Sequence, residues 1–223
     1  MNLEYDIIYS NRRTIGITVE RDRRVVVRAP KHAVSAAVAA IVEQKRLWIW
    51  NKLRDPRKYP HSRPEKEFVA GEAFLFLGQS FGLKLVSERR GDVRFDGRYF
   101  ELSRDDRRTV RELFVAWYRA QAKVHLTPRV DAMARAMGIA AKRIVVREMT
   151  SRWGSCSPSG TLTFNWRIVQ APTGVVDYLI AHELAHVIEP AHSPDFWNIV
   201  AVHVPAWEKA RRWLRQHGGR LEW

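Results

Sequence analysis

The chain has 223 residues, 46% hydrophobic and 28% charged, the profile of a soluble globular protein with room for one large domain or two small ones. Thirty-eight Lys and Arg against 24 Asp and Glu leave a formal charge of +14, which makes nucleic acid a candidate partner through polyanion attraction and fits an Arg-rich solvated surface equally well. Cys156 stands alone and excludes an intrachain disulfide; the N-terminus lacks a basic segment followed by an apolar run, and no stretch approaches the ~20 apolar residues of a membrane span, so a cytoplasmic protein without membrane contact is expected.

Residues 3–29 read as two short strands, with Ile15, Ile17 and Val19 alternating, a turn at Arg21-Asp22-Arg23, and then Val25-Val26-Val27. The period then changes. Val34, Val38, Ile41, Val42, Leu47 and Ile49 predict a helix over 35–54, followed by a Pro-, Arg- and Lys-rich loop at 55–66. Strands are predicted at 74–77, at 81–86, and in a pair at 93–95 and 99–102 joined by Asp96-Gly97, a strong hairpin signal.

From 105 to 137 the pattern is helical, with Leu113, Trp117, Val124 and Met133 as core positions, Pro128 as a kink or split, and Gly138 as the C-terminal cap. Strands follow at 144–147 and 161–168, separated by a loop around 153–158. Thr173 is placed to N-cap a helix over 174–188 that Pro190 terminates; Ser193-Pro194 then restarts a helix running to about residue 216. The fold class expected is α+β: a β-rich region with one helix at 1–103, then a metal-dependent hydrolase domain at 104–223.

The chemistry is concentrated in His182-Glu183-Leu184-Ala185-His186. Two histidines at i and i+4 project from one helix face, and the glutamate beside the first reaches the open side of a metal held between them. Zinc accepts neutral imidazole, keeps a position for water and lowers that water's pKa to about 7, so that Glu183 serves as general base and then passes the proton to the leaving amine. With eight histidines in the chain, chance supplies this pattern roughly 0.02 times per shuffled sequence. The bland alternative is a pair of satisfied core histidines, since Leu179, Ile180 and Leu184 make the helix largely apolar. His192 is the favoured third ligand, because the break at Pro190 can swing it back toward the motif; Glu189 and His203 are its rivals.

His182 to His186, followed by His192-Ser193-Pro194-Asp195-Phe196-Trp197, resembles the YgjP-like zinc metallopeptidases, relatives of the SprT-like and WLM groups. The upstream runs 151–157, reading SRWGSCS, and 160–167, reading GTLTFNWR, match the same family, so the specific likeness spans about 147–200. The resemblance implies a compact zincin-like catalytic domain with three histidine ligands, His182, His186 and His192, and a Zn2+ cofactor. In zincin-type sites an edge strand beside the active-site helix pairs with an extended peptide, and residues 161–167 are the candidate for that strand. Arg152 and Asn165 are candidates to orient substrate carbonyls or an oxyanion, Trp153 to wall the cleft; the structural alternatives are core packing for Trp153 and Trp166 and a turn cap for Asn165. Cys156 reads as a small packed residue, Tyr178 as core, and His203 and His217 as surface or capping residues.

Three functions fit: a metallopeptidase acting on an extended polypeptide, a hydrolase of some other amide or ester using the same water, and a basic nucleic-acid-associated module with a mainly structural zinc. The glutamate adjacent to the first histidine favours catalysis, because a structural zinc normally takes four protein ligands.

Overall fold

The structure is a computed structural model that describes residues 3–20, 23–54, 66–87, 91–104 and 109–223. Its architecture is α+β, with sheets dominating the N-terminal half and helices the rest. The chain divides into two units, Met1–Ser62 and Arg63–Trp223.

Among the described residues the first unit holds three strands rather than two: β1 (Asp6–Ser10), β2 (Gly16–Val19) and β3 (Val25–Pro30). The extra strand, β1, has Ile8 and Tyr9 both exposed, so no alternation marks it. It pairs in parallel with β3, and β2 pairs antiparallel on the other side, which makes the apolar run Val25-Val26-Val27 the buried centre of the sheet. The single helix predicted over 35–54 is two, α1 (Ser35–Gln44) and α2 (Arg46–Arg54), broken at Lys45, whose N–H bonds to the carbonyls of Ile41 and Val42. Val38, Val42 and Ile49 close the core over Val19, Val25, Val27 and Ala29. Most of the predicted 21–23 turn and 55–66 loop lies outside the described residues.

In the second unit, β4 (Ala73–Phe76), β5 (Gln79–Val86), β6 (Arg94–Phe95) and β7 (Tyr99–Ser103) form a sheet in the order β4-β5-β7-β6. The Asp96-Gly97 hairpin forms as predicted. Asp96 Oδ1 accepts from the N–H groups of Arg98 (2.7 Å) and Tyr99 (2.6 Å), and Gly97 supplies the φ of 90° that the turn needs.

The long helix α3 (Val110–Ala136) covers this sheet with a strict i+4 row: Val110, Phe114, Tyr118, Ala122, Leu126, Val130 and Ala134 are all buried. Leu113, Trp117 and Met133 flank the row half-buried, whereas Val124, expected in the core, is 62% exposed because it lies about 200° around the helix from Ala122. That exposure also explains why Pro128 does not split the helix, since the carbonyl it leaves without a donor belongs to Val124 on the water side. Gly138 caps α3 with φ 68°, its N–H bonded to the Arg135 carbonyl.

The second sheet has the order β8-β10-β9, from β8 (Arg143–Arg147), β9 (Gly154–Cys156) and β10 (Thr161–Asn165). The loop expected around 153–158 therefore contains a strand. The strand expected at 161–168 stops at Asn165, where a 3-10 turn, Trp166–Gln170, begins. Residues 161–165 of the segment expected at the edge are central instead: β10 pairs in parallel with β8 and antiparallel with β9, which are the two edges of the sheet.

Three helices complete the unit: α4 (Thr173–Ile188), α5 (Pro194–His203) and α6 (Trp207–His217). Thr173 is the first helical residue of α4 rather than its cap, and the cap, Pro172, makes no side-chain bond. Glu189 turns extended and ends α4. Ser193 caps α5 as predicted, its Oγ accepting from Phe196 N–H at 3.3 Å. The helix does not run on to residue 216. Pro205 has no N–H to continue the ladder, and the chain breaks at Val204-Pro205-Ala206 before α6. Beyond α6, Trp223 returns to the core beside Phe68, Phe74 and Phe114. No helix among the described residues is long and apolar enough to cross a membrane.

Candidate metal centre

Helix α4 buries Val175, Val176, Leu179, Ile180 and Leu184, which fixes its rotation and turns His182 and His186 to one open side. The turn through Glu189 and Pro190 then brings His192 back. One ring nitrogen from each of His182, His186 and His192 lies within 4.8 Å of the others, and among the described residues this is the group that can share one ion. The rivals lie elsewhere: the Glu189 carboxylate accepts from Ala191 N–H at 2.9 Å, and neither Glu189 nor His203 joins the group.

These donors fit a tetrahedral cation. His182 Nε2 and His192 Nε2 are 3.2 Å apart, and two nitrogens each ~2.0–2.1 Å from a tetrahedral zinc stand about 3.4 Å apart. His186 Nδ1 is 3.3 Å from the Glu189 carbonyl, so Nδ1–H donates there and Nε2 keeps the lone pair that a cation would take. Burial, reinforced by His186, His192 and Arg211, pushes the His182 pKa down to about 3; burial, His186 and Arg211 also lower that of His192. Both rings are thus neutral at physiological pH, the form a metal takes.

Phe196, fully buried on α5, packs that helix against α4. Its ring lies 4.9, 4.6 and 4.7 Å from those of His182, His186 and His192, so it forms an apolar floor beneath all three. The Ser193 cap sets the start of α5 and so the direction of Phe196. Trp197 stacks on His192 on one side (5.7 Å) and on Trp207 (4.4 Å), with the Arg211 guanidinium 4.7 Å from its ring. Tyr178, expected in the core, is buried 5.9 Å from His182, and burial lifts its hydroxyl pKa to about 12.

Glu183 is 4% exposed, and burial raises its pKa to about 7, with Arg152 pulling the other way. A carboxylate so poised exchanges a proton readily near neutrality. It packs against β9. The register of β9 follows from two bonds to β10 and its approach, Asn165 N–H to Trp153 O (2.8 Å) and Ser157 N–H to Thr161 O (3.0 Å). Antiparallel pairing alternates, so the N–H and C=O groups of Gly154 and Cys156 point away from β10 at the open edge.

The candidate substrate residues lie in different settings. Arg152 is exposed and close enough to Glu183 to act on its charge. Asn165 is fully buried: its Nδ2 donates to the carbonyls of Met149 (2.9 Å) and Arg152 (3.4 Å), and its Oδ1 accepts from Arg167 N–H (3.2 Å). Trp153 is half-buried against the core, and Cys156 donates to its neighbour's carbonyl at Ser157.

A family model described as "YgjP-like, metallopeptidase domain" matches residues 13–217 of the chain. A search of curated proteins gives no match. Among solved structures, the chain is similar to the metallopeptidase zymogen abylysin of Pyrococcus abyssi, at 22% identity and a TM-score of 0.36, over 39% of this chain and 86% of that one.

Proposed function

The chain belongs to the YgjP-like metallopeptidase family, and from that membership we propose a zinc-dependent peptidase whose ligands are His182, His186 and His192 and whose general base is Glu183. The observation that carries this reading is the convergence of three imidazoles within 4.8 Å beside a buried carboxylate. Bound there, zinc supplies Lewis acidity toward a water and a substrate carbonyl.

The chain's own residues supply the rest. An extended peptide pairs with the open edge of β9 through the backbone groups of Gly154 and Cys156, which lays its scissile bond across α4. Arg152 steadies a substrate carbonyl or the negative charge that develops on it. Glu183 takes a proton from the attacking water and delivers it to the departing amine nitrogen; its raised pKa suits both transfers. All of these groups fall within 104–223, to which we assign the hydrolase domain. The lone Cys156 supports a reducing, cytoplasmic setting. The charge of +14 supports recruitment to nucleic acid, checked by duplex DNA binding at ~50 mM salt that weakens as salt rises.

Metal content by plasma mass spectrometry tests the centre. Wild type and Glu183→Gln should hold close to one zinc per chain, and His182→Ala, His186→Ala and His192→Ala should lose it. Full occupancy in His192→Ala refutes the third ligand; a wild type that binds no supplied zinc refutes the centre.

A further inference from the structure

Resting on Glu183 as the base, we infer that Gly154 is a positioning residue: the missing side chain at 154 is the seat that fixes where the Glu183 carboxylate stands. A Cβ built on Gly154 would lie 2.5 Å from Glu183 Oε1, 2.8 Å from Cγ and 2.9 Å from Cδ. These distances involve the whole outer half of the glutamate, so swinging one oxygen aside does not relieve them. Glu183 is also 4% exposed, with little room to move.

Backbone conformation does not call for glycine here. The glycines with positive φ among the described residues are Gly71, Gly78, Gly91, Gly97, Gly138 and Gly160, and Gly154 is not one of them. An alanine would adopt the same strand geometry, so what excludes a side chain is the carboxylate.

The seat is itself held. Asn165 ties the carbonyls of Met149 and Arg152 through Nδ2, and its N–H bonds Trp153 O, so three carbonyls just before Gly154 are fixed by one buried residue. Gly218 gives Trp153 its place: a Cβ there would come within 3.0 Å of Trp153 Cζ2. The segment 149–154 thus presents Arg152 and the seat of Glu183 as one rigid wall, and Gly154 joins the base to the edge on which the peptide is read.

A double-mutant cycle tests this with Gly154→Ala, Glu183→Asp and the pair, using acetohydroxamate as the probe and calorimetry, zinc content and Tm as readouts. Aspartate is one methylene shorter and withdraws from the space the new Cβ needs. In the wild-type background Gly154→Ala should keep its zinc and its Tm within a few degrees and lose about tenfold in hydroxamate affinity, since a displaced carboxylate no longer meets the probe. In the Glu183→Asp background the same change should cost under about twofold. Equal losses in both backgrounds, no loss at all, or loss of zinc in Gly154→Ala overturns the seat. A wild type that binds neither zinc nor hydroxamate overturns instead the metal-centre reading beneath it.

Discussion

Replacing Glu183 by glutamine should make the metal-free protein more stable, and by an amount that grows with pH. Burial raises the folded pKa of Glu183 from 4.5 to about 7, so the native state holds its proton across a range in which the unfolded chain has released it. An acid with a raised folded pKa carries no penalty below the unfolded pKa; the penalty builds from 4.5 upward and is complete above about 7. At ~1.4 kcal/mol per unit the full cost is on the order of 3 kcal/mol. Glutamine keeps the shape without the charge. Its stability advantage should therefore widen by about 2–3 kcal/mol between about pH 5 and about pH 8. The assay is urea unfolding of chelator-treated wild type and Glu183→Gln, followed by tryptophan fluorescence at both pH values. Chelation matters because a bound cation would draw the carboxylate pKa down. His182 and His192 titrate alike in both proteins, so the difference isolates Glu183. A gap that does not change with pH, or a glutamine variant less stable at both, refutes the argument that desolvation of this carboxylate opposes folding.

Trp223→Ala should destabilise the protein by about 3–5 kcal/mol in chemical unfolding, because the ring is 8% exposed, packs against Phe74, Phe114 and Trp166, and donates to Gln170 Oε1 at 3.0 Å; a loss under about 1 kcal/mol would show the tail to be dispensable. Asn165→Ala should cost about 2–4 kcal/mol, since it strips the donor from the Met149 and Arg152 carbonyls, and unfolding indistinguishable from wild type would contradict that. Cys156→Pro should fold and hold zinc, because its N–H faces away from β10, while kcat/KM on peptide substrates falls about tenfold; unchanged kcat/KM would remove β9 from substrate binding.

Much of this site is legible in the residues themselves because its geometry is local. The i,i+4 spacing puts His182 and His186 on one face of any helix, Pro190 guarantees a break beyond them, and Ser193-Pro194 announces the helix that carries Phe196. The Asp96-Gly97 hairpin and the Gly138 cap are local in the same sense: each needs a φ that glycine adopts freely, and the residue type reports it. The α+β class follows from such periodicities, and so does the position of α4 in the chain.

Tertiary structure decided what depends on neighbours distant in sequence. Strand order has no period in the chain, so residues 161–165 read equally well as edge or centre until β8 and β9 are seen on either side, and three-residue β9 is too short to show alternation at all. Asn165 carries the same amide whether it faces solvent or carbonyls, and burial alone sets it against Met149 and Arg152. The buried row of α3 leaves Val124 outside because several apolar stripes fit its composition and the packed sheet selects one. Glycine at 154 is silent in the sequence, since a strand tolerates it for many reasons; it acquires a meaning only when Glu183, 29 positions further along the chain, packs into the space where a side chain would have been.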